Sequence, residues 1–282
     1  MNCTKCGTPL GSRDGIRGKK GERFCDRDCA RRYYNPPEPV LEKVGKDKSI
    51  QVRDIQVRDI QVLEGLVDII ILRFNTPEHD KKCVEGIIDH TRYPHYQITL
   101  FDNYPPRFPL SKIWNKLILA SYGEYICLLN NDTVPGEGWL TKMVKVFERE
   151  SNVGVVGPST NQCHTPQRVE KYPEHYKVID FEKVYGKHFQ LSGFCLLFPK
   201  DIWRLAGRFD EHFGFYAQEN EFLHRVQKLG LRTLWREDAF VWHAGEASGR
   251  KLQKEEGFDV DAERIKGNIL YRDALRKDGI KD

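Results

Sequence analysis

Tyr125-Ile126-Cys127-Leu128-Leu129-Asn130-Asn131-Asp132-Thr133 is an apolar run of strand length that stops in amides, a carboxylate and a hydroxyl. Such a run reads as a buried strand. Its polar exit puts Asp132 at the carboxyl end, the edge where open α/β sheets bind ligands. Asp132 is the one carboxylate of the stretch. It could hold a hard cation that keeps positions for water and substrate phosphates. Asn, Asp and Thr also suit an ordinary turn at a strand exit, and the stretch alone leaves both readings open.

Working outward, the chain from Leu66 alternates strand and helix. Leu66 to Leu72 is apolar apart from Asp68 and runs into Arg73-Phe74-Asn75. Thr76 then suits a helix cap with Pro77 at the first helical position, and Cys83, Val84, Ile87 and Ile88 share one helical face. Gln97 to Phe101 is a second strand, ending in Asp102-Asn103. Ser111 suits the cap of a helix that turns Ile113, Trp114, Leu117 and Ile118 inward and ends at Gly123. Beyond Asp132, the spacing of Trp139, Leu140, Met143, Val144 and Phe147 marks another amphipathic helix, before a short strand from Val153 to Val156. This alternation implies a mainly parallel sheet with right-handed crossovers. Asn75, Asp102 and Asp132 therefore belong at one edge.

The resemblance now becomes specific. Leu66 to Asn75, then Phe101-Asp102-Asn103, then Asn115 to Ile126 running into Leu129-Asn130-Asn131-Asp132-Thr133, resemble family 2 glycosyltransferases of the GT-A fold. The likeness spans residues 66 to 275 and implies a nucleotide-sugar donor site. It implies that Asn75 and Asp102 contact the nucleoside, with Phe74, Asn103, Asn115, Asn130 and Asn131 among the donor-binding residues. Asp132 would be the last acid of a DxD-type motif, holding Mn2+ or Mg2+ on the donor diphosphate. Asn130 stands where that motif has its first acid, a frequent variant.

The second half extends the resemblance. Leu191 to Phe198 reads as a strand carrying Ser192-Gly193, a small pair that the family uses where sugar and acceptor approach the backbone. Gly207 to Glu211 and Phe215 to Glu221 resemble the segment that ends in the Glu-Asp pair bearing the catalytic base. Placing Arg225 on the family's helix arginine sets Gln218 on the Glu and Glu219 on the Asp. Glu219 is then the candidate base, with Glu221 in reserve. Without the family, both read as the acidic first turn of a helix that buries Phe222, Leu223, Val226 and Leu229. Arg232 to Trp235 and Ala239 to Trp242 read as closing strands, and His243 resembles a histidine found near the diphosphate or on the metal. A last helix, Asp261 to Arg276, is expected to pack Ile265, Ile269 and Leu270 on the sheet.

The amino terminus is of another kind. Cys3-x2-Cys6 and Cys25-x3-Cys29 supply four thiols in two close pairs, the arrangement tetrahedral Zn2+ needs. Two disulfides or four unrelated thiols are the alternatives. The segment between them has too few large apolar residues for a core, so metal binding would supply the folding energy. Phe24 to Tyr34 resembles a zinc-ribbon or treble-clef knuckle, a module that grips protein or nucleic acid or stiffens a terminus. Residues 36 to 64 read as a linker in which Ile-Gln-Val-Arg-Asp starts at Ile50 and again at Ile55. A period of five fits neither helix nor strand.

Composition bounds the rest. The 282 residues suit one large and one small domain, 1–35 for the knuckle and 65–282 for the transferase. With 45 basic and 41 acidic residues the net charge is +4, which gives no global field toward nucleic acid or membrane. No apolar run reaches the roughly 18 residues of a membrane span, and Cys83, Cys127, Cys163 and Cys195 read as buried thiols of a reducing compartment. The expectation is a cytoplasmic enzyme, at most peripheral to a membrane. It would be a metal-dependent, inverting hexosyl- or deoxyhexosyltransferase acting on a glycan, lipid, protein or small-molecule acceptor. The competing expectation, kept open by Asn130 and Gln218, is a lapsed transferase domain that binds nucleic acid or protein through its zinc module.

Overall fold

The computed structural model describes residues 62–104, 108–170, 175–187, 189–245, 249, 251, 253–254 and 257–280, together with Ile16–Arg17 and Arg23–Phe24. The chain divides into two units, Met1–Gln56 and Val57–Asp282. In the first, β1 (Ile16–Arg17) and β2 (Arg23–Phe24) pair antiparallel. Cys3, Cys6, Cys25, Cys29 and the repeats from Ile50 lie outside the described residues.

The second unit is built in chain order from β3 (Leu63–Arg73), α1 (Pro77–His90), β4 (Tyr96–Asp102), α2 (Leu110–Ala120), β5 (Gly123–Asn130), β6 (Thr133–Pro135), α3 (Trp139–Arg149) and β7 (Val153–Ser159). It continues with β8 (Val178–Asp180), α4 (Phe181–Tyr185), β9 (Cys195–Pro199), α5 (Lys200–Leu205), α6 (Gln218–Lys228), β10 (Arg232–His243) and α7 (Val260–Lys277). The strands form a mixed sheet in the order β4-β3-β5-β9-β7-β10-β6, with β8 beside β10. Pairs β3-β4, β3-β5 and β7-β10 are parallel, while β9 runs antiparallel between β5 and β7.

Strand alternation divides the core into two layers. Ile69, Ile71, Cys127 and Leu129 face one side, where Cys83 and Ile87 of α1 and Trp139, Leu140 and Met143 of α3 cover them. Ile70, Ile126 and Leu128 face the other, against Trp114 and Ile118 of α2, Trp203 of α5 and Phe222 and Leu223 of α6. Burying both faces in this way is what makes the central strands continuous apolar runs.

Several boundaries differ from the sequence reading, each for a physical reason. β3 begins at Leu63, before Leu66, because Gly65 takes φ +71 and a register shift lets Leu63 pair with Gly123. Ser111 lies inside α2 and not at its cap, since the helix starts directly after Pro109. Thr76 makes no side-chain cap, and its hydroxyl instead accepts from Asn131 Nδ2 at 2.7 Å. The two closing strands are one, β10, with a register shift between Arg236 and Phe240. Ile265 and Ile269 are 59% and 54% exposed, because α7 docks through Gly267, Tyr271 and Leu275 instead. The helix approaches so closely that a β-carbon on Gly267 would meet the Tyr216 carbonyl. Ile88 is also exposed, while Cys163 is half-buried beside fully buried Cys83, Cys127 and Cys195. Among the described residues no helix is long and apolar enough to cross a membrane.

Candidate active site

Parallel pairing brings the polar strand exits together. Arg73 lies opposite Asp102 and Leu72 opposite Asn130, so β3, β4 and β5 end at one edge. β10 follows β7 in parallel and delivers His243 there. β9 runs the other way, with Cys195 opposite Leu129, so its beginning faces the same edge. Ser192-Gly193 accordingly lies ahead of the strand, not within it as the sequence suggested.

At the β3 exit, Phe74 is buried and meets the Tyr104 ring edge-on at 5.9 Å. Asn75 is exposed in the left-handed region at φ +53, a conformation Asn tolerates well, and its carbonyl accepts from Lys251 Nζ. Arg73 joins two acids: its Nε lies 3.3 Å from Asp80 Oδ2 and its Nη2 3.2 Å from Asp102 Oδ2. Asp80 also accepts from Asn131 Nδ2 at 2.6 Å. Burial raises the Asp80 pKa above the usual carboxylate value, against the opposing pull of Asn131 and Arg73. Asn103 is buried and closes its own loop by exchanging bonds with the Phe108 backbone at 2.9 and 3.0 Å.

Asn115 is also buried, and its carboxamide bonds are spent inside the protein. Nδ2 donates to Phe209 O and Glu211 Oε1, while Oδ1 accepts from Phe209 N and Trp203 Nε1. In the turn after β5, the Asn130 side chain is exposed and its carbonyl accepts from Thr133 Oγ1 at 2.6 Å. Asp132 is buried, and its backbone carbonyl accepts from Ala244 N at 2.9 Å.

The His243 ring is held on several sides. Its Nδ1 lies 3.0 Å from the Gln162 carbonyl, it stacks on Phe194 at 5.3 Å, and its Nε2 lies 3.3 Å from Asp132 Oδ1. A carbonyl can only accept, so Nδ1 carries the proton there. In the neutral ring Nε2 is then an acceptor facing a carboxylate oxygen. An imidazole nitrogen and a carboxylate oxygen converging in this way fit a divalent cation with further positions for phosphate oxygens and water.

The two candidate acids of α6 have different surroundings. Glu221 forms a two-pronged pair with Arg225, at 2.6 and 2.7 Å, and Arg225 also donates to the carbonyls of Ala206 and Arg208. Glu219 has a buried Oε2 with no hydrogen-bond partner among the described residues, and burial raises its pKa. Its carboxyl group lies on Gly193, where a β-carbon would fall 2.9 Å from Glu219 Cγ, Cδ and Oε1. Neighbouring Gln218 is buried as well.

Sequence reasoning missed a loop after β7. Asn161 and Gln162 contact His243, and buried Gln167 accepts from Ser192 N at 2.7 Å. Polar residues in a segment without periodicity gave no signal. Among the described residues no three His, Cys, Asp or Glu side chains converge as a metal cluster.

O-antigen biosynthesis protein RfbC of Myxococcus xanthus is 24% identical over 225 residues, 65% of this chain, and the match spans 18% of that protein. The solved structure of S. aureus TarS 1-349 superposes with a TM-score of 0.51 at 11% identity, covering 67% of this chain and 63% of that one. At such identity the likeness concerns the fold, a mixed α/β sheet. The sequence model described as "Glycosyltransferase like family 2" matches residues 67–257, most of the chain. The chain belongs to that family, and its larger unit is a glycosyltransferase domain.

Proposed function

We propose that the domain moves a sugar from a nucleotide-diphosphate donor to an acceptor hydroxyl with inversion, using Asp132 and His243 to hold Mn2+ or Mg2+ and Glu219 as base. The observation that carries this reading is the pairing of Asp132 Oδ1 with His243 Nε2 at 3.3 Å while Nδ1 is committed to the Gln162 carbonyl. A proton on Nε2 would make this contact an ion pair; with the ring neutral, a cation between the two acceptor atoms holds them together. When bound, that cation would offset the charge developing on the leaving diphosphate.

The protein's own groups supply the rest. Glu219, in its ionised form, takes the proton of the acceptor hydroxyl as that oxygen bonds to the anomeric carbon. The bond from that carbon to the diphosphate breaks on the opposite face, and its electron pair leaves with the diphosphate. A raised pKa suits this role, because a base works best with a pKa near the operating pH. Gly193 offers no side chain, so the acceptor and Glu219 can come close to the backbone. Asn75 and Asp102 are proposed to meet the nucleoside at the exits of β3 and β4. Asn103 and Asn115, whose side chains bond to the protein itself, are proposed to shape that site.

The name of the Myxococcus relative concerns O-antigen biosynthesis, and we take a growing polysaccharide as the acceptor class, handled at the cytoplasmic side of a membrane. Zn2+ on Cys3, Cys6, Cys25 and Cys29 remains part of the proposal. The test is a thermal-shift panel of UDP-, dTDP-, GDP- and CMP-sugars, with and without Mn2+, on wild type and Asp132→Ala. A native-state ligand at a hundredfold excess over its Kd adds about 2.7 kcal/mol of stability. A shift that needs one nucleotide class, the metal and Asp132 supports the reading. No shift with any donor favours the lapsed-transferase alternative, for which Gln218 in place of an acid is the motive.

A further inference from the structure

We propose that Asn161 is a positioning residue for the donor-site cation, setting His243 through the loop from Thr160 to Gln167; this rests on the metal reading above. The Asn161 carboxamide addresses one residue twice. His243 N donates to its Oδ1 at 2.8 Å, and its Nδ2 donates to His243 O at 3.1 Å. The carboxamide thus imitates a partner strand at the point where β10 leaves the sheet, and fixes the backbone that carries the ring. The next residue fixes the ring itself, since the Gln162 carbonyl accepts from Nδ1 at 3.0 Å.

An imidazole has two nearly equivalent flip states about its last torsion. Only the one with Nδ1 on the Gln162 carbonyl turns Nε2 toward Asp132. Losing the Asn161 clamp frees the His243 backbone to move away from that carbonyl, and the ring then samples the flip that puts Cε1–H where Nε2 faced Asp132, which offers a cation no lone pair.

The loop is built to hold this place. Thr160 and Gln167 close its neck, with Thr160 N donating to Gln167 O and Val169 N to Thr160 O, both at 2.9 Å. Gln167 is fully buried, its Nε2 donating to Pro158 O and its Oε1 accepting from Ser192 N, each at 2.7 Å. One end of the loop therefore serves the histidine and the other the Ser192-Gly193 turn beneath Glu219. Changing Asn161 should disturb the cation side alone.

The experiment titrates Mn2+ by electron paramagnetic resonance, alone and with UDP or GDP, on wild type, Asn161→Ala and His243→Ala. A second readout is the 15N spectrum of the His243 ring. Outer-sphere partners of metal ligands typically matter about 10- to 100-fold in affinity. Asn161→Ala should weaken Mn2+ about tenfold and convert the wild-type Nδ1–H tautomer to a mixture, with activity recovering at high Mn2+. If Asn161→Ala does not fold, Asn161→Asp keeps an acceptor for the His243 N–H and should show a smaller loss of the same kind. Wild-type Mn2+ affinity and an unchanged tautomer in Asn161→Ala overturn the positioning role. If His243→Ala binds Mn2+ as wild type does, it is the metal reading itself that fails.

Discussion

The carboxyl group of Glu219 rests on the Cα of Gly193, so close that any β-carbon there would lie 2.9 Å from three of its atoms. Gly193 has no positive φ, so alanine is barred by the neighbour and not by the backbone. Gly193→Ala should displace Glu219 while the fold persists. Misplacement of a reacting group by about 1 Å can cost about 10²-fold in rate. Steady-state kinetics should show kcat down by about that factor with the donor thermal shift retained. Near-wild-type kcat would dissociate Glu219 from the chemistry.

Glu219→Gln should trade activity for stability. Burial raises the Glu219 pKa, so the native state holds its proton to higher pH than the unfolded chain does. The favourable contribution is therefore complete below the ordinary carboxylate value and is lost as pH rises through the raised one. At neutral pH the ionised group is a cost, and the isosteric amide removes it. Thermal unfolding at neutral pH should give a higher Tm for the variant, with the gap closing in acid, while transfer falls about 10²- to 10⁴-fold. The wild-type rate should fall on the acid side at a pH above that of an ordinary glutamate.

Glu221 should behave in the opposite way. Its pair with Arg225 ties α6 to the carbonyls of Ala206 and Arg208. Glu221→Gln should cost about 1.5–3 kcal/mol, the usual worth of a hydrogen bond to a charged group. Urea unfolding should report this loss, with kcat of the folded protein close to wild type.

Asn115→Ala gives a further contrast. The carboxamide bonds both the N–H and the C=O of Phe209, and truncation leaves these groups unpaired beside a buried Trp203. A loss of about 2–4 kcal/mol is expected, visible as a lower urea midpoint, while KM for the donor stays within about twofold. A large KM increase with normal stability would instead put Asn115 in contact with the donor.

The fold was readable where the signal was local. The runs ending at Leu72 and Leu129 predicted β3 and β5, because a strand buried on both faces has to be mostly apolar, and the Gln97–Phe101 run predicted the half-buried edge strand β4. The Trp139-Leu140-Met143-Val144 spacing predicted α3 for the same kind of reason. Misreadings occurred where burial depends on a partner. Ile265 and Ile269 have the right spacing for a core face, yet the contacts of Gly267 and Tyr271 turn that face outward. Thr76 has cap chemistry, yet Asn131 claims its hydroxyl.

The sequence by itself determined where β3, β4 and β5 end, to within a residue, and in what order the family's segments follow, since residue type and period act over one or two turns of chain. Tertiary structure alone decided that β9 enters antiparallel between β5 and β7, which carries Ser192-Gly193 to the edge where Asp132 already stands. It also decided that Asn161 and Gln162 address His243, and that Arg225 draws Glu221 away while Glu219 Oε2 stays without a hydrogen-bond partner among the described residues. These pairings join residues far apart in the chain or choose between near neighbours. They are fixed by the burial of both faces of the sheet, which no local pattern encodes.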